Sequence, residues 1–263
     1  MGFQPVVPFG GMAGWAFLQR TREAQAAAHQ ATPEARRDAA YFAENIARVD
    51  NAFDLVSDYR LLKVALGAFG LDADLPNKAF IRQVFEGGSI APDSLANRMV
   101  DKRYLAMTRA FGFDLGTPRT KLSGFADEIL SSYRGRQFEI AVGEQNADLR
   151  LAMSLPRDLG SIVESDNTAD GRWFAVMGNQ PLRKVFETAL GLPASLATLD
   201  IDRQLDVFRD RAATVFGAGE VSQFSDPDRL EELNRLFLVR AQITDGRASM
   251  SPGAVALSLL QSF

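Results

Sequence analysis

Residues 61–71 read LLKVALGAFGL, and residues 182–192 read LRKVFETALGL. In the first stretch Leu61, Leu62, Ala65, Leu66 and Phe69 recur at intervals of three and four, the spacing of one helix face. In each stretch the helical pattern stops at a glycine, Gly70 or Gly191, the residue that adopts the left-handed conformation after a helix without steric cost. The match continues at a constant offset of 121 (61 to 182) through Ala73/Ala194, Leu75/Leu196 and Arg82-Gln83/Arg203-Gln204. Over Leu61 to Gln83, ten of 23 positions are identical. After a deletion, Ala106-Met107-Thr108 and Phe111-Gly112 echo Ala212-Ala213-Thr214 and Phe216-Gly217. Self-similarity at a fixed offset marks a repeated supersecondary unit. The expected architecture is therefore two duplicated multi-helix units.

Helix punctuation outside the repeat agrees. Thr32-Pro33-Glu34, Asn179-Gln180-Pro181 and Ser225-Asp226-Pro227-Asp228 are helix starts, with a capping side chain and proline in the first turn. Asn77 is expected to cap a helix closed by Gly87-Gly88, and Asp93 or Ser94 opens a run to Phe111 with a bend near Asp101. Leu122 to Met153 reads as one long helix or two, interrupted by Gly135 and Gly143. Ser251-Pro252 starts a short apolar helix ending at Phe263. No run alternates strictly between apolar and polar residues. The fold class is all-α, a compact helical bundle. The expected organisation is an apolar N-terminal arm over 1–13, a first repeat unit over 14–121, a connecting long helix over 122–160 and a second unit over 161–263, packed as one body. No Ser/Gly/Pro-rich linker separates the units.

Composition narrows the chemistry. The chain of 263 residues is 46% hydrophobic and 24% charged, as expected for a chain that buries a core. Its formal charge of -4 disfavours a nucleic-acid partner, whose phosphates require a basic face. There is no cysteine and a single histidine, His29. Thiolate nucleophiles, disulfides, cysteine-ligated metals and paired-histidine sites are thereby excluded. No segment approaches about 18 consecutive apolar residues, so membrane insertion is not expected. The N-terminus lacks a basic region ahead of its apolar part and carries Pro5 and Pro8, so it makes a poor cleaved signal. Val6 occupies the position where N-myristoylation requires Ser or Thr.

Each candidate constellation has a structural reading. His29 has no catalytic motif around it and reads as a surface histidine. Asp166-Asn167-Thr168-Ala169-Asp170-Gly171 has oxygen side chains at alternate positions, but Met177 replaces the bidentate Glu of a calcium loop. Asp202, Asp206 and Asp210 share a helix face with Arg203, Arg209 and Arg211 nearby, which suits a solvated mixed-charge surface. No catalytic residue, cofactor or metal ligand is expected. Aromatics are the oddity: nineteen Phe stand beside four Tyr and two Trp. Most belong at helix seams. Phe3, Phe9, Trp15, Phe17 and Phe263 lie near the ends, without an obvious core to join, and are the candidate protein-contact residues. The arm that carries the first of them can dock on its own body, on a sister copy or on a partner.

Several segments resemble the domain of unknown function family 1217. They are Gly14-Trp15-Ala16-Phe17-Leu18-Gln19-Arg20-Thr21, the stretch Leu61 to Leu71, Asn77-Lys78-Ala79-Phe80-Ile81-Arg82 and Ser94 to Tyr104. Pro181-Leu182-Arg183, Leu199 to Gln204 and Phe237-Leu238-Val239-Arg240 fit as well. The resemblance implies a helical protein of unassigned biochemistry, found mainly in alphaproteobacteria and often encoded among flagellar genes. It supplies no catalytic or ligand-binding residues. The expected role is a non-enzymatic flagellum-associated protein, a hook or basal-body component or an assembly factor, whose partners are flagellar proteins. The alternative is a cytosolic export chaperone or regulator that holds a partner helix in a groove between the repeats. Homo-oligomers are compatible with either role. The expected location is the cytoplasm, or the flagellum after export without a cleaved signal.

Overall fold

The computed structural model describes residues 3–165 and 167–249. Among them the chain forms α1 (Gly11–Gln30), α2 (Pro33–Asn45), α3 (Ala52–Ser57), α4 (Tyr59–Phe69), α5 (Lys78–Glu86), α6 (Leu95–Arg98) and α7 (Lys102–Phe111). There follow α8 (Phe125–Gln145), α9 (Ala147–Val163), α10 (Ala169–Gly178), α11 (Gln180–Leu190), α12 (Ile201–Phe216) and α13 (Pro227–Ser249). Short 3-10 turns join several of these, and the described residues contain no strand. The fold class is all-α. The helix expected after Ser251 lies outside the described residues.

Local chemistry sets most of the boundaries. Asp58 accepts hydrogen bonds from the Arg60 and Leu61 N–H groups at 2.9 and 3.1 Å ahead of α4. Asp101, Asn146, Thr168 and Asn179 accept from backbone N–H groups ahead of α7, α9, α10 and α11. Each bond satisfies a helix-terminal donor and contributes about 1 kcal/mol. The bend expected near Asp101 is thus a break between α6 and α7. Asn77 stands at the N-cap position of α5 as expected and its carbonyl accepts from Ile81 N at 3.0 Å, but its side-chain amide makes no capping bond and donates to Asp74 instead, at 3.0 Å.

The chain divides into two units, Met1–Val6 with Thr21–Ala141, and Val7–Arg20 with Val142–Phe263. This differs from the expected boundaries. The segment over 122–160 is no single connector, because Asn146 is extended (φ −153) and caps a new helix through a bond from Leu149 N at 2.9 Å. Helix α8 therefore lies mostly in the first unit and α9 in the second. Nor does α9 stop at Met153. It runs through Pro156 to Val163, because Leu155, Leu159 and Ile162 continue its buried stripe. That burial outweighs the one backbone bond the proline forgoes. The arm is also shorter than residues 1–13, since α1 begins at Gly11. A Cβ on Gly14 would lie 2.0 Å from the Phe9 carbonyl oxygen, so the close approach of that turn requires glycine.

In the first unit α4 is the central helix, with α2, α3 and α7 around it. Leu61, Leu62, Val64, Ala65, Leu66 and Ala68 are all buried. Around the end of α7, the rings of Phe85 from α5, Phe111, Phe113 and Phe125 meet at centroid separations of 5.2 to 5.6 Å, within the range of favourable aromatic pairs. In the second unit α11 packs with α9, α10, α12 and α13. Its Phe186 ring meets Trp173 at 5.4 Å and Phe224 at 5.3 Å. The buried Trp173 indole satisfies its N–H by donating to the Gly219 carbonyl at 2.8 Å.

Helices α4 and α11 share one backbone pattern. Both have eleven residues. Their caps Asp58 and Asn179 stand 121 positions apart (179 − 58), as do Gly70 and Gly191 (191 − 70). Both glycines are left-handed, at φ 72 and φ 67. The N–H of Leu71 reaches the Leu66 carbonyl at 2.9 Å, and that of Leu192 reaches the Glu187 carbonyl at 2.8 Å. Gly70 and Gly191 donate to Gly67 and Thr188 at 3.2 and 3.1 Å. This pair of bonds is the Schellman closure of a helix C-terminus.

Candidate functional site

The expected contact residues have unequal fates. Phe3 is half-buried, with its ring edge-on to His29 at a centroid distance of 6.4 Å. His29 in turn meets Phe138 at 6.0 Å. It is therefore a half-buried ring between two phenylalanines rather than the free surface histidine its neighbours in sequence suggest. Val6 is held through its backbone. Its N–H donates to Gln25 Oε1 at 2.6 Å, and its carbonyl accepts from Gln25 Nε2 at 3.1 Å. The same amide nitrogen donates to Thr21 Oγ1 at 2.8 Å. Gln25 is 8% exposed, so these partners answer its otherwise costly burial. Phe9, by contrast, is 60% exposed. Trp15 and Phe17 are half-buried on α1. Phe263 lies outside the described residues.

A cleft of about 740 Å³ opens within the first unit, bordered by the end of α1, α2, Lys63 of α4 and one face of α8. That volume suits a small ligand or a short stretch of chain. Ala35, Ala39 and Ala43 of α2 line it with small side chains, and Leu130 and Tyr133 face it from α8. Lys63 donates to Asp38 Oδ2 at 2.8 Å and to Glu34 Oε1 at 3.0 Å. Arg60 approaches the other Asp38 oxygen at 3.8 Å. Burial alone would lower the Lys63 ammonium, but its hydrogen bonds to Asp38 and Glu34 outweigh this and hold it above the usual lysine range. Burial pushes the Tyr133 phenol up to about 12, opposed by Lys63 and reinforced by Asp38, Asp72 and Glu34. An ammonium held charged and a phenol held neutral are poor general bases at neutral pH.

Sequence reasoning missed Gln25 and the Lys63 cluster. The usable signal for Lys63 was its position inside an apolar run. It interrupts LLKVAL, and a lysine there must find carboxylates. The other polar candidates are structural or solvated. Thr168 caps α10 through a bond from Gly171 N at 3.1 Å, which accounts for the Asn167 to Gly171 part of the calcium-like stretch. Asp166 lies outside the described residues. Asp202, Asp206 and Asp210 are exposed on α12, while Arg209 of that helix pairs with Asp170 and, at 3.3 Å, with Glu220. No helix among the described residues is long and apolar enough to cross a membrane.

Comparison with known proteins adds a family and a fold. Residues 68–230 match the model of a family described as protein of unknown function, DUF1217. No curated protein matches the chain. The fold is similar to the X-ray crystal structure of an Agrobacterium tumefaciens protein determined as a structural-genomics target. That similarity has a TM-score of 0.73 at 21% identity and covers 92% of this chain and 99% of that one.

Proposed function

The chain belongs to the DUF1217 family, and from that premise we propose a non-enzymatic, flagellum-associated protein acting through protein–protein contacts. It would serve as a hook or basal-body component or as an assembly factor, and its partners would be flagellar proteins. The flagellar setting comes from the family resemblance described above. The contact role is carried by Phe9, a large aromatic 60% exposed on a non-helical segment, where it would provide a compact apolar anchor for a partner. We also infer that the two units arose by duplication, supported by the matched caps and closures of α4 and α11.

The test is where the protein goes. Immunoblots of cytosol, culture medium and purified hook–basal bodies would be compared between wild-type cells and an export-blocked strain. The proposal expects enrichment outside the cytosol that is lost when export is blocked. Strict cytosolic retention in both strains would leave the second reading, a cytosolic export chaperone or regulator. That reading places the partner helix in a groove between the repeats; the cleft beside α2 lies instead within the first unit, where its alanine-lined wall would let such a helix approach closely.

A further inference from the structure

The two units treat one seam in opposite ways. Helix α8 of the first unit and α13 of the second match at an offset of 104 (240 − 136). Asp127-Glu128-Ile129, Tyr133 and Arg136 stand at the positions of Glu231-Glu232-Leu233, Phe237 and Arg240. The geometry agrees, because each arginine closes on the glycine that ends the central helix of its unit. Arg136 Nη1 would lie 2.7 Å from a Cβ on Gly70, and Arg240 Nη1 3.0 Å from one on Gly191. On α13 the residues Phe237, Leu238 and Ala241 are buried, and the helix packs on α9 and α11. On α8 the same positions are Tyr133, Arg134 and Gln137, and they border the cleft beside α2. An apolar seam that is closed in one unit is thus an open polar cleft in the other.

The cleft holds donors that the protein itself does not use. Tyr133 is 5% exposed, with its ring seated against Gly67. Its hydroxyl has no hydrogen-bond partner among the described residues, although a buried hydroxyl is normally paired. Held neutral, the phenol has a proton to donate to an anion. Gln137 is already engaged, donating to Asp72 at 2.8 Å. Three cations, Arg36, Lys63 and Arg134, line the cleft with three carboxylates, Glu34, Asp38 and Asp127. Lys63, Glu34 and Asp38 satisfy one another. The side chains of Arg36, Arg134 and Asp127 have no ion pair or hydrogen bond among the described residues. Two guanidiniums against one carboxylate suit a monoanion, and disfavour a polyphosphate. The remaining wall, Ala35, Ala39, Ala43 and Leu130, is apolar. We propose that the cleft binds a small organic carboxylate, its charged group held by Arg134 and the Tyr133 hydroxyl and its apolar body resting on Leu130 and the alanines of α2. This inference does not depend on either functional reading above.

The test is calorimetric titration of the full-length chain with phenylacetate, its neutral analogue phenylacetamide, and inorganic phosphate. Phenylacetate should bind saturably, and the amide at least about tenfold more weakly, because it lacks the charged hydrogen-bond acceptor. Phosphate has no apolar body and should not compete. Arg134→Leu and Tyr133→Phe install the residues that α13 carries at the matching positions. Each should weaken phenylacetate about tenfold, and Arg134→Leu should leave the amide unchanged. Lys184→Met, in the second unit, should bind as wild type does. Circular dichroism checks that the variants remain helical, and where Arg134→Leu does not, Arg134→Gln takes its place. The proposal would be overturned by the absence of saturation up to about 10 mM phenylacetate or by equal binding of acid and amide. Competition by phosphate at equal concentration, or wild-type affinity in both cleft variants, would overturn it as well.

Discussion

Helices α4 and α11 share length, cap position and C-terminal closure, yet the two are filled by opposite means. In α4 the closing stretch is small: Ala65, Gly67 and Ala68 let neighbours come near. In α11 the positions of Ala65, Leu66 and Gly67 become Phe186, Glu187 and Thr188. The consequences are local and opposite in character. Gly67 accepts the Tyr133 ring, whose Cε2 would lie 2.7 Å from a Cβ placed there. Phe186 instead brings its own ring to Trp173 and Phe224. Leu62 is fully buried, whereas its counterpart Arg183 binds Glu187 at 2.7 Å and Gln204 at 2.7 Å. The backbone pattern is thus held by its caps and its glycine, and the side chains are free to suit two different surroundings.

The largest effect comes from removing the side chain that α11 contributes. Phe186→Ala deletes a fully buried ring with two aromatic neighbours and should cost about 3–5 kcal/mol. Chemical denaturation followed at helix and tryptophan signals measures it. Trp173 should report the loss first, because its indole packs directly on Phe186. If the loss stays below about 1 kcal/mol, the idea that α11 is anchored by its aromatic side chain is wrong.

The converse substitution in α4 adds a single methyl group. Gly67→Ala should destabilise by about 1–3 kcal/mol through overpacking against Tyr133, despite alanine's better helix propensity. Thr188→Ala at the matching position of α11 meets no such wall and should change stability by about 0.5 kcal/mol or less. The double variant Gly67→Ala/Tyr133→Phe separates ring contact from hydroxyl effects. It should be no more stable than Gly67→Ala if the ring itself is the obstacle. Full recovery would assign the cost to the hydroxyl.

What was readable in the sequence follows the reach of the interactions involved. Caps and closures act over two to five residues, so Asp58, Asn179, Gly70 and Gly191 mark their helix ends directly. The offset of 121 was legible because it is carried by residue identities along the chain, from Leu61/Leu182 through Gly70/Gly191 to Gln83/Gln204, which need no packing to be read. The α8–α9 break was half-legible: Asn146 is a capping residue type, but nothing nearby requires the helix to stop there. The continuation of α9 past Met153 was not legible, because the burial of Leu155, Leu159 and Ile162 is decided by other helices. The Lys63 pairs with Glu34 and Asp38 span 29 and 25 residues, and the Val6–Gln25 clamp spans 19. Such pairings depend on how helices pack, which one-dimensional spacing does not encode. The N-terminal aromatics show both cases, for Phe3 was expected to lack a core and has found a ring to lie on, while Phe9 remains exposed.

The smallest contrast is between the lysines that occupy one repeat position, Lys63 and Lys184. Lys184 donates to Asp148 at 2.9 Å with its side chain 56% exposed. Lys63 is 29% exposed and holds Asp38, itself 12% exposed. Lys184→Met removes a surface pair and should cost about 0.5 kcal/mol or less. Lys63→Met leaves Asp38 with only the longer Arg60 contact and should cost about 1–2 kcal/mol. The pH dependence has a definite sign. Because folding raises the Lys63 value, its contribution is complete below the ordinary lysine value of about 10.4 and fades as pH rises through the folded value. Tyr133, pushed up to about 12, acts in the same direction, since the unfolded phenol releases its proton from about pH 10 onward while the folded one retains it. Alkaline denaturation of wild type, Lys63→Met and Lys63→Met/Tyr133→Phe resolves the two groups. Stability should fall most steeply with pH in wild type and least in the double variant. Identical slopes in all three would remove both groups from the alkaline response and reduce the Lys63 cluster to a surface pair like that of Lys184.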